Sequence, residues 1–421
     1  MVIYALLRSR CGVKVAIVGG GLAGIAAARY AIAKGCEIDL FEVSENFGGR
    51  LAHTVIDSCV IDKGFQVVNM NYPELRKLLS GKKVPSLPIF TSLNFLDENG
   101  VRRDLSPLNI ASALSSASGS LLQKIRFLIY LFAKSKATLT LETQSSRFKD
   151  LYTRVLSPFL SGVFLTNPDK IRGDVAHHIL RYFLLGRPRL INGGIGNLIP
   201  ILMEGIPKSQ LHPNSKVMQI IQSPHDQLLS LRVERNRQEE IFENFDYVII
   251  ATNGNIGEIE GTAGGNSRQW LTSTTVYHKV NRLPKKNRKL FLGTSFVNSL
   301  VASDANSTYA DAKSSLIATT FLGELTDSMW QEKKDEYETE IAFLYNCNPK
   351  ELHLLSIERV AKALPLFSPE DPARDQLSTL DPAIDRIVYA GDAFDEPSQN
   401  GALRSGRLAV EKILQSSALH R

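Results

Sequence analysis

The chain has 421 residues, 43% of them hydrophobic and 22% charged, with no low-complexity tract; it exceeds one hydrophobic core and is expected to fold as two domains with room for a ligand between them. The net charge of +6 invites a nucleic-acid partner, but the basic clusters Lys285-Lys286-Asn287-Arg288-Lys289 and Lys333-Lys334 have no interleaved aromatics for base stacking, so no nucleic acid is expected and both read as solvated loops. Cysteines 11, 36, 59 and 347 make no C-x-x-C pair, metal spacing or disulfide framework, which points to a reducing, cytoplasmic setting and no metal.

In chain order, residues 1–12 hold too short an apolar run for a secretory signal. Val15-Ala16-Ile17-Val18 is a β-branched run bounded by glycine, the pattern of a buried parallel strand. Gly19-Gly20-Gly21-Leu22-Ala23-Gly24 then opens an alanine-rich helix that stops at Gly35, and a second strand, Ile38–Phe41, ends on Glu42. This is a dinucleotide fingerprint. Gly19 makes the tight turn, Gly21 admits a pyrophosphate beside the backbone at Leu22 and Ala23, and Gly24 lets helix and strand pack closely. Glu42, eighteen residues after Gly24, stands where a carboxylate accepts hydrogen bonds from an adenosine ribose, which favours FAD or NAD over NADP.

After Glu42 the chain runs Val43-Ser44-Glu45-Asn46-Phe47-Gly48-Gly49-Arg50. Downstream, Asp246–Ile250 reads as a strand leading into Ala251-Thr252, and Tyr389-Ala390-Gly391-Asp392 precedes a helical run from Gly401 and Ala402 to Ala409. Together with the fingerprint, these segments resemble the superfamily of flavin-containing amine oxidases, phytoene desaturases and protoporphyrinogen-oxidase-like enzymes. The resemblance implies FAD. It implies that Gly48 and Gly49 let the loop cross the pyrophosphate and that Arg50 neutralises it. It places Val217 over the adenine, Ala251-Thr252 at the returning turn, and Gly391-Asp392 at the ribityl chain. The helix starting near Gly401 and Ala402 would aim its N-terminus at the flavin ring. Asp62-Lys63-Gly64-Phe65-Gln66 would pass beside the isoalloxazine, so Gly64, Phe65 and Gln66 are cofactor contacts and Gln66 is the catalytic candidate.

The fold class expected is α/β: a Rossmann-like FAD-binding domain from residues 13–80, 193–262 and 383–421, with an inserted α+β substrate domain, antiparallel sheet plus helices, from 81–192 and 263–382. No second G-x-G-x-x-G follows a strand, since Gly193-Gly194-Ile195-Gly196 instead leads into a helix at Leu198, so no NAD(P)H site is expected. Electrons would pass to dioxygen, a quinone or a protein. The expected reaction is hydride removal from a largely apolar small molecule, desaturase- or dehydrogenase-like. A flavin amine oxidase and a redox-neutral FAD-dependent isomerase are the alternatives. Pro397-Ser398-Gln399-Asn400-Gly401 lacks the aromatic that amine oxidases of the family place there, which disfavours an amine.

Three further readings concern the substrate half. Leu121–Lys136 is an apolar helical stretch with basic ends and reads first as a core helix, with peripheral membrane contact as the alternative. His177-His178 diverge by about 100° on a helix and show no carboxylate partner, so they are set aside as an acid/base pair. Phe159–Phe164 and Tyr277 read as pocket wall or core.

Overall fold

The computed structural model describes residues 12–64, 67–106, 109–133, 139–186, 188–252, 259–262, 268–283, 285–372 and 379–419. Lys14–Val18 is the middle strand of a five-stranded parallel sheet ordered Leu211–His212, Glu37–Phe41, Lys14–Val18, Tyr247–Ile250, Ile387–Tyr389. Its run of apolar residues follows from burial on both faces. Val15 and Ile17 point to one side, against the alanine face of helix Leu22–Ala33 and Ala409, Val410 and Ile413 of helix Gln399–Leu419. Ala16 and Val18 point to the other, against Val217, Leu231 and Val233 of an antiparallel sheet, Ser215–Gln222, Leu229–Arg235 and Gln238–Phe245. Burying Ile17 or Ile249 in this way stabilises the sheet by about 1.5–3 kcal/mol each.

The two helices on the first face touch backbone to backbone, because a Cβ on Gly406 would lie 2.2 Å from the Ala23 carbonyl oxygen. Glycine there sets the helix spacing. Both helices thereby bring their N-terminal ends to the same cavity.

A seven-stranded sheet forms the second layer system, ordered His353–Pro365, Trp270–Asn281, Ser314–Leu322, Asn298–Val301, Lys289–Leu292, Ser92–Leu96, Arg102–Leu105. Its pairs are antiparallel except Lys289–Leu292 with Ser92–Leu96, which is parallel. Helix Asp327–Tyr345 covers one face through Trp330 and Ile341, packed on Val276, Ile317 and Phe321. The opposite face carries helices Ser157–Phe164 and Gly173–Leu185, whose Leu160, Phe164 and Leu180 meet Tyr277, Leu300 and Ala318. A π-helical segment, Tyr152–Leu156, runs directly into Ser157–Phe164. Pro158 lacks the N–H that an α-helix would donate there, so the regular ladder is broken at this point.

The expectation of a core helix over 121–136 is corrected. Residues 134–136 lie outside the described residues, and helix Leu121–Phe132 buries only Phe127 and Leu131 while its apolar stripe faces outward. No helix among the described residues is long and apolar enough to cross a membrane.

Candidate functional site

The site begins at the turn after Lys14–Val18. Gly19 sits at φ +105°, and a Cβ on it would meet the Ala251 carbonyl oxygen at 2.6 Å. A Cβ on Gly24 would lie 1.9 Å from the Gly19 oxygen, so turn and helix are in backbone contact there. Gly21, by contrast, has no atom within 4 Å of its absent side chain and opens onto the cavity. Two of the three glycines, Gly19 and Gly24, are thus closed by backbone contact, and Gly21 is open.

Glu42 is buried at the end of Glu37–Phe41, where its Oε2 accepts from the Gly20 N–H at 2.7 Å and its Oε1 from the Ser44 N–H at 2.9 Å. It locks the glycine turn to the following loop. A carboxylate offers about four lone-pair directions, so two remain for a ligand. That loop closes on the turn, with the Gly48 N–H donating to Gly20 O at 2.8 Å and Gly49 lying against Gly21. The positive φ of Gly48 and Gly49, +121° and +60°, makes the approach possible.

Arg50 donates through Nη2 to Asp392 Oδ1 at 2.7 Å and through Nη1 to Ala363 O at 2.7 Å. Two motifs 342 positions apart thus meet in one ion pair. The Gly391 N–H donates to Ser405 Oγ, fixing this turn on helix Gln399–Leu419. Ala251 N–H donates to Val18 O at 2.7 Å, which sets Thr252 beside Gly19, and Thr252 Oγ1 is a buried polar atom without a partner among the described residues.

These groups line one end of a cavity of about 540 Å³. Of the residues expected to hold the cofactor, Gly19, Gly21, Leu22, Ala23, Glu42, Gly48, Gly49, Arg50, Gly64, Val217, Ala251, Thr252, Gly391, Asp392 and Ala402 all line it. Gly24 and Gly401 do not: Gly24 is a packing glycine, and Gly401 is pressed against Glu396, where a Cβ would come within 2.2 Å of its carbonyl oxygen. Gly401 as a lining contact is therefore corrected. Phe65 and Gln66 lie outside the described residues.

The far end of the cavity is walled by Phe90, Phe159, Val163, Phe183 and Leu290. Polar groups at this end come from the sheet floor: Ser273 and Thr275 on Trp270–Asn281, Asn298, and Thr320. Sequence reasoning missed them, although Ser273 and Thr275 share one face of a strand by the two-residue alternation. Tyr277, on the same face, is not part of the wall; it is fully buried and donates to Asp62 O at 3.0 Å.

Asp62 is enclosed behind the Lys63-Gly64 rim. It accepts from the Ile195 N–H at 2.9 Å and from Tyr309 OH at 2.7 Å. Burial pushes its carboxyl up to about 7, although both hydrogen bonds pull the other way.

The reading of His178 as lacking a carboxylate partner is corrected by the fold. Its Nδ1 lies 2.8 Å from Oε2 of the buried Glu396. Burial alone would raise Glu396, but hydrogen bonds from His178, Asn400 and Ser398 together with the His178 charge hold it down at about 2. Glu396 directly precedes Pro397, Ser398 and Gln399, which line the cavity, so the pair braces that segment. His177 turns away and meets Tyr130 O at 3.0 Å.

The cradle suits FAD by its own geometry: an open glycine at a helix N-terminus, a carboxylate with free lone pairs, an orphaned hydroxyl, and a continuous cavity leading to an apolar chamber. Residues 22–260 match the family model for flavin containing amine oxidoreductases, more than half of the chain. Protoporphyrinogen oxidase 2 of Arabidopsis thaliana is 24% identical over 174 residues, a match spanning 38% of this chain and only about a third, 34%, of that protein. The fold is similar to that of putrescine oxidase bound to putrescine, with TM-score 0.70, 15% identity, and 97% of this chain and 99% of that one covered. It is equally similar to cyclohexylamine oxidase from Brevibacterium oxydans IH-35A, with TM-score 0.70, 14% identity, and 97% and 100% covered. At such identities the structures speak for the fold. The family match, the glycine cradle and the cavity agree: this chain belongs to the flavin containing amine oxidoreductases and is an FAD-dependent oxidoreductase.

Proposed function

We propose that the chain oxidises a neutral, largely apolar small molecule by removing a hydride, and that Glu42, Gly21, Arg50 and Ala402 would hold FAD. The observation that carries this reading is the charge of the cavity. Among the described residues its only acidic lining groups are Glu42 and Asp392, both at the nucleotide end, one holding backbone N–H groups and the other Arg50. An ammonium group in the far chamber would find aromatic and aliphatic walls and neutral oxygens, without the counter-charge that a desolvated cation requires.

Bound FAD supplies the two-electron acceptor for the substrate C–H bond. The protein's part is positioning. Phe90, Phe159 and Phe183 exclude water and hold an apolar body, while Ser273, Thr275, Asn298 and Thr320 orient a polar edge of the substrate. Gly64 and the Pro397–Gln399 segment flank the space between the two ends, and we assign Gln66, two positions after Gly64 in the sequence, as the catalytic candidate. Dioxygen, a quinone or a protein would serve as the final electron acceptor.

Two domains follow from the same reading: residues 13–80, 193–262 and 383–421 bind FAD, and residues 81–192 and 263–382 bind substrate. All five parallel strands fall in the first set and all seven strands of the large sheet in the second, which supports the division. A small sheet, Val68–Asn69, Pro188–Ile191 and Ser86–Pro88, stitches the two together.

The test is anaerobic titration of the flavin-loaded protein with polyenes, cyclic apolar substrates and primary or secondary amines, following loss of the oxidised-flavin absorbance. Bleaching by neutral apolar compounds is expected. Bleaching by amines alone would overturn the reading, as would turnover only after chemical reduction, which would indicate a redox-neutral isomerase.

A further inference from the structure

Helix Leu121–Phe132 starts on a sound cap, with Ser120 Oγ accepting from the Gln123 N–H, and it packs inward through Phe127 and Leu131. The Tyr130 ring packs on Phe148 and His177, and the remaining apolar residues are turned to solvent. Leu121, Leu122, Ile125, Leu128, Ile129 and Phe132 are each between 46% and 65% exposed. At about 100° per residue these six positions fall within an arc of roughly 120°, with the buried pair on nearly the opposite side. The stripe is a second apolar face, left uncovered.

The face extends onto both neighbours. Lys124 Nζ donates to Ser115 O at the end of helix Ile110–Leu114, which exposes Ile110 and Leu114. At the other end Phe132 lies under the Arg181 guanidinium, and helix Gly173–Leu185 ends on the exposed Leu184 and Leu185. Contiguous apolar surface of this kind is uncommon on proteins that work free in water.

The helix's own charged residues, Lys124 and Arg126, are both basic, and Asp150, which accepts from Gln123 Nε2 at 2.7 Å, meets the helix on the side away from the stripe. Arg126 is exposed beside the stripe, Arg181 stands at its end, and helix Leu121–Phe132 contains no Asp or Glu. Cationic side chains bordering an outward apolar arc match a surface that is apolar inside and anionic at its edge. The face is also continuous with the chamber. Ile179 and Phe183 line the cavity, and the next residues of the same helix, Leu184 and Leu185, are part of the exposed face.

We propose that this face docks on a lipid bilayer, with the six side chains in the acyl boundary, Arg126 and Arg181 on anionic headgroups, and the substrate chamber opening next to the hydrocarbon. The helix lies in the interface and does not span it. The inference rests on the exposed face, independently of the substrate assigned above, and its readout is binding, so its failure leaves the oxidation reading standing.

The experiment is sedimentation of the flavin-loaded protein with large unilamellar vesicles of phosphatidylcholine alone, or of phosphatidylcholine with phosphatidylglycerol. Wild type is expected to pellet with the anionic vesicles, more weakly with the neutral ones, and less at high salt. Each exposed Ile that loses its lipid contact weakens partitioning by about tenfold, so Ile125→Glu with Ile129→Glu lowers it about a hundredfold. Both positions are exposed, and unchanged flavin content and circular dichroism would establish that the double variant folds. Phe343→Glu, an exposed change on helix Asp327–Tyr345, is expected to bind like wild type. The proposal is overturned if wild type stays in the supernatant with both vesicle types, if the double variant binds undiminished, or if Phe343→Glu is as damaging. It is equally overturned if wild type is a dimer without lipid that the double variant dissociates, since a second copy would then cover the face.

Discussion

The substitution Asp62→Asn tests the enclosed carboxyl behind the cavity rim. In the fold its pKa stands at about 7 against an ordinary 3.8, because burial outweighs the hydrogen bonds from Ile195 and Tyr309. An unfolded chain ionises Asp near 3.9, so between about pH 4 and pH 7 the native state holds a proton that the unfolded state releases. Stability from this group is therefore fully present below about pH 4 and is lost as pH rises to about 7, at roughly 1.4 kcal/mol per pH unit. From about pH 5 to pH 8 the loss comes to roughly 3 kcal/mol. An amide at this position keeps the size and the acceptor for Ile195 but has no proton to lose. The variant should be slightly less stable than wild type near pH 5, where Tyr309 meets the amide, and more stable near pH 8. Urea midpoints of the flavin-loaded proteins across that range measure the difference, and titrations common to both cancel. Parallel wild-type and variant profiles would refute the reasoning, since Asp62 would then ionise alike in both states.

Two further outcomes follow from the geometry. Gly24→Ala puts a methyl 1.9 Å from Gly19 O, so the turn must open; flavin affinity should fall at least about tenfold, read from the flavin-to-protein absorbance ratio after dialysis. His178→Gln should cost about 1–3 kcal/mol, toward the low end because His178 reaches solvent, and should alter the flavin spectrum because Glu396 braces the Pro397–Gln399 segment. An unchanged spectrum and unchanged pH profile of flavin reduction would reduce the pair to a structural contact.

The nucleotide end was legible because its constraints are local. Gly19, Gly21, Gly24 and Glu42 act within one strand-turn-helix-strand unit, and each role is steric or a short-range hydrogen bond, so spacing in the chain carries it. The remainder depends on what the chain meets after folding. Arg50 was read as a phosphate partner, yet it also reaches Asp392 and Ala363. His178 looked unpartnered because Glu396 comes from a distant turn. Helix Leu121–Phe132 shows apolar periodicity, but periodicity gives a face and not its orientation, and here Phe127, Tyr130 and Leu131 turn inward while the aliphatic stripe faces solvent. Ser273, Thr275 and Tyr277 share a strand face, and whether each meets cavity or core is decided by Asp62 beneath Tyr277.

The contact between Arg50 and Asp392 has a consequence for how the enzyme comes into being. A ribosome delivers the glycine turn early and Asp392 342 residues after its partner, while N-terminal segments are already collapsing. A nascent chain therefore displays the phosphate-facing turn long before the wall opposite exists. The wall that Gly391 and Asp392 supply to the cavity is complete only when the returning strand Ile387–Tyr389 pairs with Tyr247–Ile250. A ligand that recognises only the finished arrangement draws the population toward it by mass action. Flavin supply during synthesis is thus expected to govern how much protein survives proteolysis as well as how much is active.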